Sequence, residues 1–263
     1  MAQVIAITNQ KGGVGKTTTA LNLGAGLTRQ GKRVLFVDLD PQCSLTYALR
    51  GMEDGPGTVQ EALLGQKSAQ DTLISTDEGD LIPASPALSS MDMMLTQTGK
   101  EFRLREALAP IRENYDFIIL DGPPALDVLT VNILTAADRV IIPALADIFS
   151  LQGIGQLYAT IEAVRTYCNR DLAVGGILLT RHNDRYVLSR EMRELMQETA
   201  TQLHTIVFEH TVREAVALRE AEATQQSIFA YAPKSKQAGD YAAWIGEFLN
   251  SLSTGGGEAN GEQ

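Results

Sequence analysis

The sequence predicts a single α/β domain built on a mostly parallel, twisted β-sheet with helices on both faces. Three observations support this fold class. Short apolar runs alternate with segments of helical periodicity, a glycine-rich turn joins the first run to the first helical segment, and 263 residues with 44% hydrophobic content can bury one sizeable core. The runs typical of doubly buried strands are Val4–Thr8, Val34–Val37, Phe117–Leu120, Val140–Ile142 and Val174–Leu179.

Segments with helical periodicity lie between these runs and after them. They are Lys16–Gln30, Leu151–Val164, Leu188–Met196 and Tyr241–Leu252. Gly31 is expected to end the first helix. Gly51–Gly57 and Asp77–Ser90 are rich in glycine, acid or proline, which predicts surface excursions. The predicted domain spans residues 1–252, and the polar tail 253–263 is predicted to be disordered because it cannot build a core.

Charge and composition limit the function classes. The formal net charge is −10, so the overall field repels polyanions, and any contact with nucleic acid requires a local basic patch. No apolar run reaches the ~18 residues of a membrane span, and Met1–Ala6 shows no export signal, so we expect a soluble, cytoplasmic protein. Cys43 and Cys168 lack the paired spacing of a zinc or disulfide framework, and we expect both to be reduced.

The turn between the first strand and the first helix carries the sequence K-G-G-V-G-K-T-T. Glycines allow consecutive backbone N–H groups to face a phosphate, and the start of the helix adds partial positive charge. The residues predicted to cradle a nucleotide are Gly12, Gly13, Val14, Gly15, Lys16, Thr17 and Thr18. Within this set we expect Lys16 to reach the β- and γ-phosphates and Thr17 to bind Mg²⁺. A solvated glycine-rich turn is the alternative, which the strand–turn–helix context disfavours.

The turn departs from the usual phosphate-loop pattern at its start. That pattern requires glycine at position 10, where this chain has Gln10, and an additional lysine follows as Lys11. Lys11–Thr18 resembles the deviant Walker A box of the ParA/MinD ATPases, and the similarity runs with gaps to about Phe248. The resemblance implies a P-loop NTPase domain, ATP and Mg²⁺ as cofactors, and an ATP-dependent homodimer. It also implies that Lys11 crosses the dimer interface to the partner's nucleotide.

Carboxylates follow two of the predicted strands. Asp38 and Asp40 lie in D-L-D-P-Q, and Asp121 ends an apolar strand of Walker B type. With Thr17, Asp38 and Asp121 are predicted to lie at Mg²⁺. Asp40 is predicted to orient the attacking water, as the resemblance to ParA also implies. An alternative is that Asp38 caps the next segment and Asp40 makes an Asp-Pro turn.

The predicted catalytic groups are therefore Lys11, Lys16 and Asp40. Asp147 and Thr180 follow later strands but match no motif that assigns them a role.

The last third of the chain is richer in basic residues. Val216–Ala221 and Ser235–Tyr241 resemble two stretches of ParA, although Ala217 stands where the family has a basic residue. The predicted DNA contacts are Arg181, Arg185, Arg213, Arg219, Lys234 and Lys236. Because phosphate contacts dominate non-specific DNA affinity, several such residues could suffice. The alternative is a solvated face whose bases are balanced by interleaved glutamates.

The resemblance implies an ATP-operated switch. In this expectation the ATP-bound homodimer binds non-specific DNA on the nucleoid, and a ParB-like adaptor stimulates ATP hydrolysis, which turns over weakly without it. The cargo would be plasmid or chromosomal DNA or, alternatively, a protein assembly. The chain begins only a few residues before its first strand, so no N-terminal repressor domain is expected.

Three other functions share this loop. A MinD-like regulator that binds membranes directly is disfavoured, because residues 253–263 contain no lysine, arginine or bulky apolar residue. Cys43 and Cys168 do not fit the iron–sulfur ligands of a nitrogenase iron protein. A biosynthetic P-loop ligase or amidase, of the dethiobiotin or cobyrinate type, would turn over with a small carboxylic substrate.

Overall fold

The computed structural model describes residues 1–49, 55–183 and 185–254. Within these ranges the strands are β1 (Gln3–Ile7), β2 (Val34–Asp38), β3 (Ile74–Thr76), β4 (Gly79–Ile82), β5 (Phe117–Asp121), β6 (Arg139–Ala144), β7 (Ala173–His182) and β8 (Val212–Arg213). They form one sheet in the order β3-β4-β2-β5-β1-β6-β7-β8. All neighbours are parallel except β3 and β4, so the predicted α/β class is confirmed.

Helices connect the strands and cover the sheet. The α-helices are α1 (Lys16–Arg29), α2 (Ser44–Ala48), α3 (Val59–Leu63), α4 (Met91–Met94), α5 (Arg103–Leu108), α6 (Val128–Ala136), α7 (Ile148–Tyr167), α8 (Val187–Gln202), α9 (Val216–Ala223), α10 (Ile228–Tyr231) and α11 (Lys236–Thr254). Four 3₁₀ turns lie at Ala69–Thr72, Pro86–Ser90, Lys100–Phe102 and Ala109–Asn114. Over the described residues, no helix combines the length and apolar character needed to cross a membrane.

Alternation along each strand divides the core into two layers, as period-two geometry requires. Val4 and Ala6 of β1 pack with the layer that contains α3–α8, whereas Ile5 and Ile7 pack with α1, α2 and α9–α11. Both faces of the sheet are therefore covered, which is why the central strands consist almost entirely of apolar residues.

The register of the central strands aligns their carboxyl ends. β1 lies between β5 and β6, and Asp121 at the end of β5 pairs with Ile7 of β1 and Asp38 of β2. Loops that leave β1, β2 and β5 consequently meet at one edge of the sheet. In open α/β sheets this edge, near the strand where the connections change direction, is where ligands bind.

One prediction about the outer part of the sheet was wrong. Asp77–Ser90 is not a surface excursion, because it contains β4, which pairs in parallel with β2 and buries Leu81 and Ile82. The strand has only two apolar residues, and Gly79, Asp80 and the following prolines resemble a loop in sequence. Asp80 accepts a hydrogen bond from the Tyr115 hydroxyl (2.8 Å), which satisfies its carboxylate beside the sheet.

The first helix ends where the sequence predicts, whereas the last helix is longer than predicted. Gly31, with φ +78°, follows α1 as expected. The last helix begins at Lys236 rather than Tyr241 and continues to Thr254, past the predicted end at Leu252. The remaining residues of the predicted tail, 255–263, and of the predicted excursion, 51–54, lie outside the described residues.

Close packing of α1 on the sheet gives a test of this architecture. A Cβ added at Gly24 would lie 2.2 Å from the ring of Phe36 on β2. Gly24→Ala should therefore lower the free energy of unfolding by about 1–3 kcal/mol, although alanine normally favours a helix. Gly246→Ala in α11 is the matched control. Its Cβ would meet no atom within 4 Å, so we expect stabilisation by about 0.5–1 kcal/mol in denaturant titration. Equal effects of the two substitutions would contradict the packing.

Candidate nucleotide site

The loop between β1 and α1 has the backbone of an anion cradle. Gly13 and Gly15 have φ values of +74° and +82°, which residues with a Cβ atom rarely adopt. A Cβ atom at Gly12 or Gly13 would point into open space. No side chain caps α1, which begins at Lys16. The first backbone N–H groups of α1 and the preceding loop therefore remain available for an anion.

This loop borders a large cavity of about 1270 Å³ at the carboxyl edge of the sheet. One wall is formed by Gly12–Gly13 and Gly15–Thr18, and a second by Asp40 and the segment Gln42–Ser44. A third wall comes from the ends of β7 and β8 and from α9. The volume exceeds the ~300–1,000 Å³ typical of small-molecule pockets, so a nucleoside triphosphate fits within it.

Asp38 and Asp121 lie side by side at the ends of β2 and β5, and both are completely buried. Asp38 accepts hydrogen bonds from the Thr46 backbone (2.8 Å), the Thr46 hydroxyl (2.7 Å) and the Asp40 backbone (3.1 Å). Burial raises the pKa of Asp38 to about 6, against the lowering effect of these bonds. Its carboxylate thus anchors the loop that carries Asp40, and its role at Mg²⁺ stays a prediction.

Asp121 has the features of a cation ligand. The hydroxyl of Thr17 donates to its Oδ2 atom (2.7 Å), while Oδ1 is buried with no hydrogen-bond partner among the described residues. Burial, followed by the charge of Asp38, raises the pKa of Asp121 well above its ordinary value. A divalent cation beside Thr17 would relieve both the unpaired oxygen and the repulsion between the carboxylates, so the residues present fit Mg²⁺.

Lys16 lies against the loop and close to the carboxylates. It is buried, and its ammonium donates to the Lys11 carbonyl (3.2 Å). Burial lowers the pKa of Lys16, while the charges of Asp121 and Asp40 oppose that effect. Asp40 is also mostly buried, and one of its oxygens accepts from the Gln42 backbone (2.9 Å). The structure therefore brings together the predicted residues Lys16, Thr17 and Asp40 in one cavity.

Two residues that the sequence could not assign hold this loop in place. The buried Thr180 hydroxyl, at the end of β7, lies 2.8 Å from the Val14 carbonyl and 3.3 Å from the Ala144 carbonyl, and can donate to either. Asp147 lies in the turn before α7, where it binds the Lys11 ammonium (2.6 Å). Both contacts link segments more than 130 residues apart, so no local motif signals them.

A third unassigned residue reaches the loop from α9. Glu222 accepts a hydrogen bond from the Thr18 hydroxyl, and burial raises the pKa of its carboxyl group. Thr18 is the last residue of the phosphate loop, in the first turn of α1. The nucleotide cavity is therefore bounded by residues from both halves of the chain.

The six predicted DNA contacts lie between the end of β7 and the start of α11. Two are engaged in ion pairs, Arg181 with Glu214 and Arg213 with Asp240, each at 2.6 Å. Arg181 also has a left-handed backbone (φ +51°) and, like Arg219, borders the nucleotide cavity. Within the described part of the chain, the members that form no ion pair are the exposed residues Arg185, Arg219, Lys234 and Lys236.

Three features define a P-loop NTPase. They are the parallel sheet, the glycine-rich loop after its central strand, and the buried acids at neighbouring strand ends. Sequence comparison makes the assignment narrower. A family model described as an AAA domain matches residues 2–174, more than half of the chain. Sporulation initiation inhibitor protein Soj of Bacillus subtilis strain 168 is 40% identical over 92% of this chain and 96% of its own length. The chain belongs to the ParA/Soj family of deviant Walker A ATPases.

A second relative and two solved structures are also similar to most of the chain. Chromosome partitioning protein ParA of Myxococcus xanthus is 40% identical over 92% of this chain and 86% of that protein. Cobyrinic acid a,c-diamide synthase from Mycobacterium smegmatis, solved with ADP and magnesium, superposes with a TM-score of 0.84 at 37% identity. That match covers 97% of both chains. Apo McdA of Cyanothece has a TM-score of 0.84 at 25% identity, covering 95% of this chain and all of that structure.

These findings confirm the expected activity class and cofactors. The protein is an ATPase of the partition or positioning type, and its cofactors are ATP and Mg²⁺. The predictions for individual site residues stay predictions, supported by the geometry described above.

The contact between Thr180 and the phosphate loop gives a test of the site. Thr180→Val keeps the shape of the side chain but removes the hydroxyl near the buried Val14 and Ala144 carbonyls. We expect the Kd for ATP to rise about three- to tenfold, because the loop loses a buried hydrogen bond worth ~1 kcal/mol or more. Thr180→Ser should restore most of the affinity in isothermal titration calorimetry. Unchanged affinity in Thr180→Val would contradict a supporting role for this contact.

Proposed function

We propose that the protein is an ATP-operated dimerising switch. Its ATP-bound dimer binds DNA without sequence specificity and positions DNA, or another cargo, together with a ParB-like adaptor that stimulates hydrolysis. Similarity to Soj and to chromosome partitioning protein ParA over more than nine-tenths of the chain supports this function. In the cell, ATP-bound protein would then associate with the nucleoid.

The observation that carries the proposal is the position of Lys11. Its side chain does not line the cavity of its own subunit, although the next residues, Gly12 and Gly13, do. A quarter of the side chain is exposed, at the rim of the phosphate loop. A second subunit that docks on this rim would bring its own phosphates within reach of the Lys11 ammonium. This position supports the proposal that the extra lysine completes a partner's site.

Different residues of one subunit would have different roles in ATP hydrolysis. When bound, Mg²⁺ would supply positive charge that stabilises the triphosphate. Thr17 and Asp121 would hold the metal, and Lys16 with the loop N–H groups would bind phosphate oxygens. Asp40, fixed by its bond to Gln42 and by the anchored Asp38, would orient the attacking water. The arrangement positions groups and stabilises charge, which is how phosphoryl transfer to water is accelerated.

The proposed DNA surface lies beside the nucleotide cavity. Lys236 and Asp240 occupy one face of α11, one turn apart, and Asp240 holds Arg213 at the end of β8. Lys234 and Lys236 are exposed at the start of α11 and just before it. Phosphate contacts need only local positive charge, so this surface could bind DNA although the whole chain carries −10.

A second candidate function is ATP-dependent amide synthesis. It is suggested by the similarity to cobyrinic acid a,c-diamide synthase from Mycobacterium smegmatis. A glutamine-dependent version needs a reactive thiolate. Of the two cysteines, Cys43 borders the cavity, but burial, then Asp38 and Asp40, raises the pKa of its thiol to about 11. The thiol is therefore protonated at neutral pH, which disfavours this role. Hydrolysis stimulated by cobyrinic acid rather than by DNA and an adaptor would establish the synthase instead.

The trans role of Lys11 can be tested directly. Lys11→Ala should abolish ATP-dependent dimerisation and lower the hydrolysis rate about 10²-fold or more, because the partner's phosphates lose a charged group. Asp40→Ala should lose hydrolysis to a similar extent yet retain the ATP-bound dimer, since it lacks only the water-orienting group. Light scattering and phosphate release measure both. Lys32→Ala, at an exposed lysine on the opposite edge, is the control. If Lys11→Ala hydrolyses ATP like the wild type, the assignment is wrong.

Salt dependence tests the DNA surface. With ATP and Asp40→Ala protein, affinity for a random-sequence duplex should fall steeply between about 50 and 200 mM salt. Removing Lys234 and Lys236 together should reduce the slope of log K against log salt by about 2, or about 1 per lost phosphate contact. Fluorescence anisotropy gives the slopes, and Lys32→Ala should leave its slope unchanged. An unchanged slope in the double variant would exclude these lysines, and no binding with ATP would exclude the DNA function.

A further inference from the structure

The side chain of Lys11 is bound to its own subunit. Its ammonium contacts both carboxylate oxygens of Asp147, at 2.8 Å and 2.6 Å, and lies 5.8 Å from the ring centroid of Phe149. The lysine side chain is 25% exposed and that of Asp147 is 35% exposed. The lysine proposed to act across the dimer interface is therefore engaged in cis in the single subunit.

Asp147 is held in place independently of Lys11. It caps α7 by accepting a hydrogen bond from the Ser150 backbone (2.8 Å), and the Leu145 N–H donates to the Ser150 hydroxyl (3.2 Å). Burial would raise the pKa of Asp147, but hydrogen bonds from Lys11 and Ser150 lower it below its ordinary value. Its carboxylate is thus fixed and charged at neutral pH.

The backbone of Lys11 is also fixed. Its N–H donates to the side chain of the buried Asn9 (3.0 Å), which in turn binds the Pro143 carbonyl on β6 (2.7 Å). The Lys11 carbonyl accepts from Lys16 (3.2 Å). The backbone of Lys11 is therefore held within the phosphate loop, while its side chain is held by both carboxylate oxygens of Asp147.

We propose that Asp147 is a positioning residue for Lys11. It holds the ammonium on its own subunit when no partner is present, and it releases Lys11 to the phosphates of a second subunit. The proposal rests on the proposed trans role of Lys11. A partly exposed ion pair contributes little free energy, so Lys11 can exchange Asp147 for a triphosphate. Because the pair must break first, its small free energy opposes dimerisation. Asp147 thereby sets the protein concentration at which ATP produces dimers.

Asp147→Asn is the informative variant, because asparagine is also a good helix cap but does not attract the lysine charge. We expect ATP-dependent dimerisation, measured by analytical ultracentrifugation, to occur at about two- to fivefold lower protein concentration. Asp127→Asn is the matched control, since Asp127 caps α6 in the same way and has no contact with a lysine among the described residues. Dimerisation of this control should be unchanged.

A second readout follows Lys11 itself. In nucleotide-free protein, brief acetylation with acetic anhydride and mass spectrometry report the reactivity of Lys11 relative to exposed Lys32. Release from Asp147 should raise the relative labelling of Lys11 in Asp147→Asn at least twofold, and not in Asp127→Asn. A merely structural role for Asp147 would instead loosen the whole loop and weaken ATP binding by the monomer.

Both readouts must change for the proposal to stand. Unchanged or weaker dimerisation of Asp147→Asn, or unchanged labelling of Lys11, would overturn it. These outcomes are distinct from failure of the proposed function, which would appear as normal ATP-dependent dimerisation and hydrolysis in Lys11→Ala.

Discussion

The site depends on two carboxylates that the fold buries side by side. Asp38 and Asp121 end adjacent parallel strands, and neither reaches solvent, so their repulsion is relieved only by nearby donors and by positive charge. Thr46 and the Asp40 backbone satisfy one of them, while Thr17 and Lys16 stand beside the other. A divalent cation bound beside Thr17 and Asp121 would offset this repulsion.

The position of the phosphate loop is set by distant strands as much as by its own sequence. Asn9 attaches the loop to β6, and Thr180 attaches it to the end of β7, the next strand in the sheet. Both contacts are buried, where a hydrogen bond is hard to replace with water. These contacts attach the loop to the two strands on one side of β1. The Lys11 side chain lies at the exposed rim of this loop, where Asp147 binds its ammonium.

The sequence predicted the parts of the site that are local. Lys16 and Thr17 lie in a turn whose glycines and flanking elements define its shape, and Asp121 ends a recognisable buried strand. Asp147, Thr180 and Glu222 could not be found in the same way, because strand order alone brings them to the loop. β4 was missed since its pairing with β2, rather than its two apolar residues, makes it a strand. Arg181 and Arg213 have carboxylate partners that residue types alone do not reveal.

The hydrogen bond between Thr18 and Glu222 joins two regions that the chain keeps far apart. Thr18 belongs to the first turn of α1, and Glu222 lies one turn from Arg219 on α9, which packs on the same face of the sheet. The first turn of α1 is therefore linked to the helix that carries Arg219, one of the predicted DNA contacts. Through Glu222, a helix from the last third of the chain contacts the phosphate loop at its last residue.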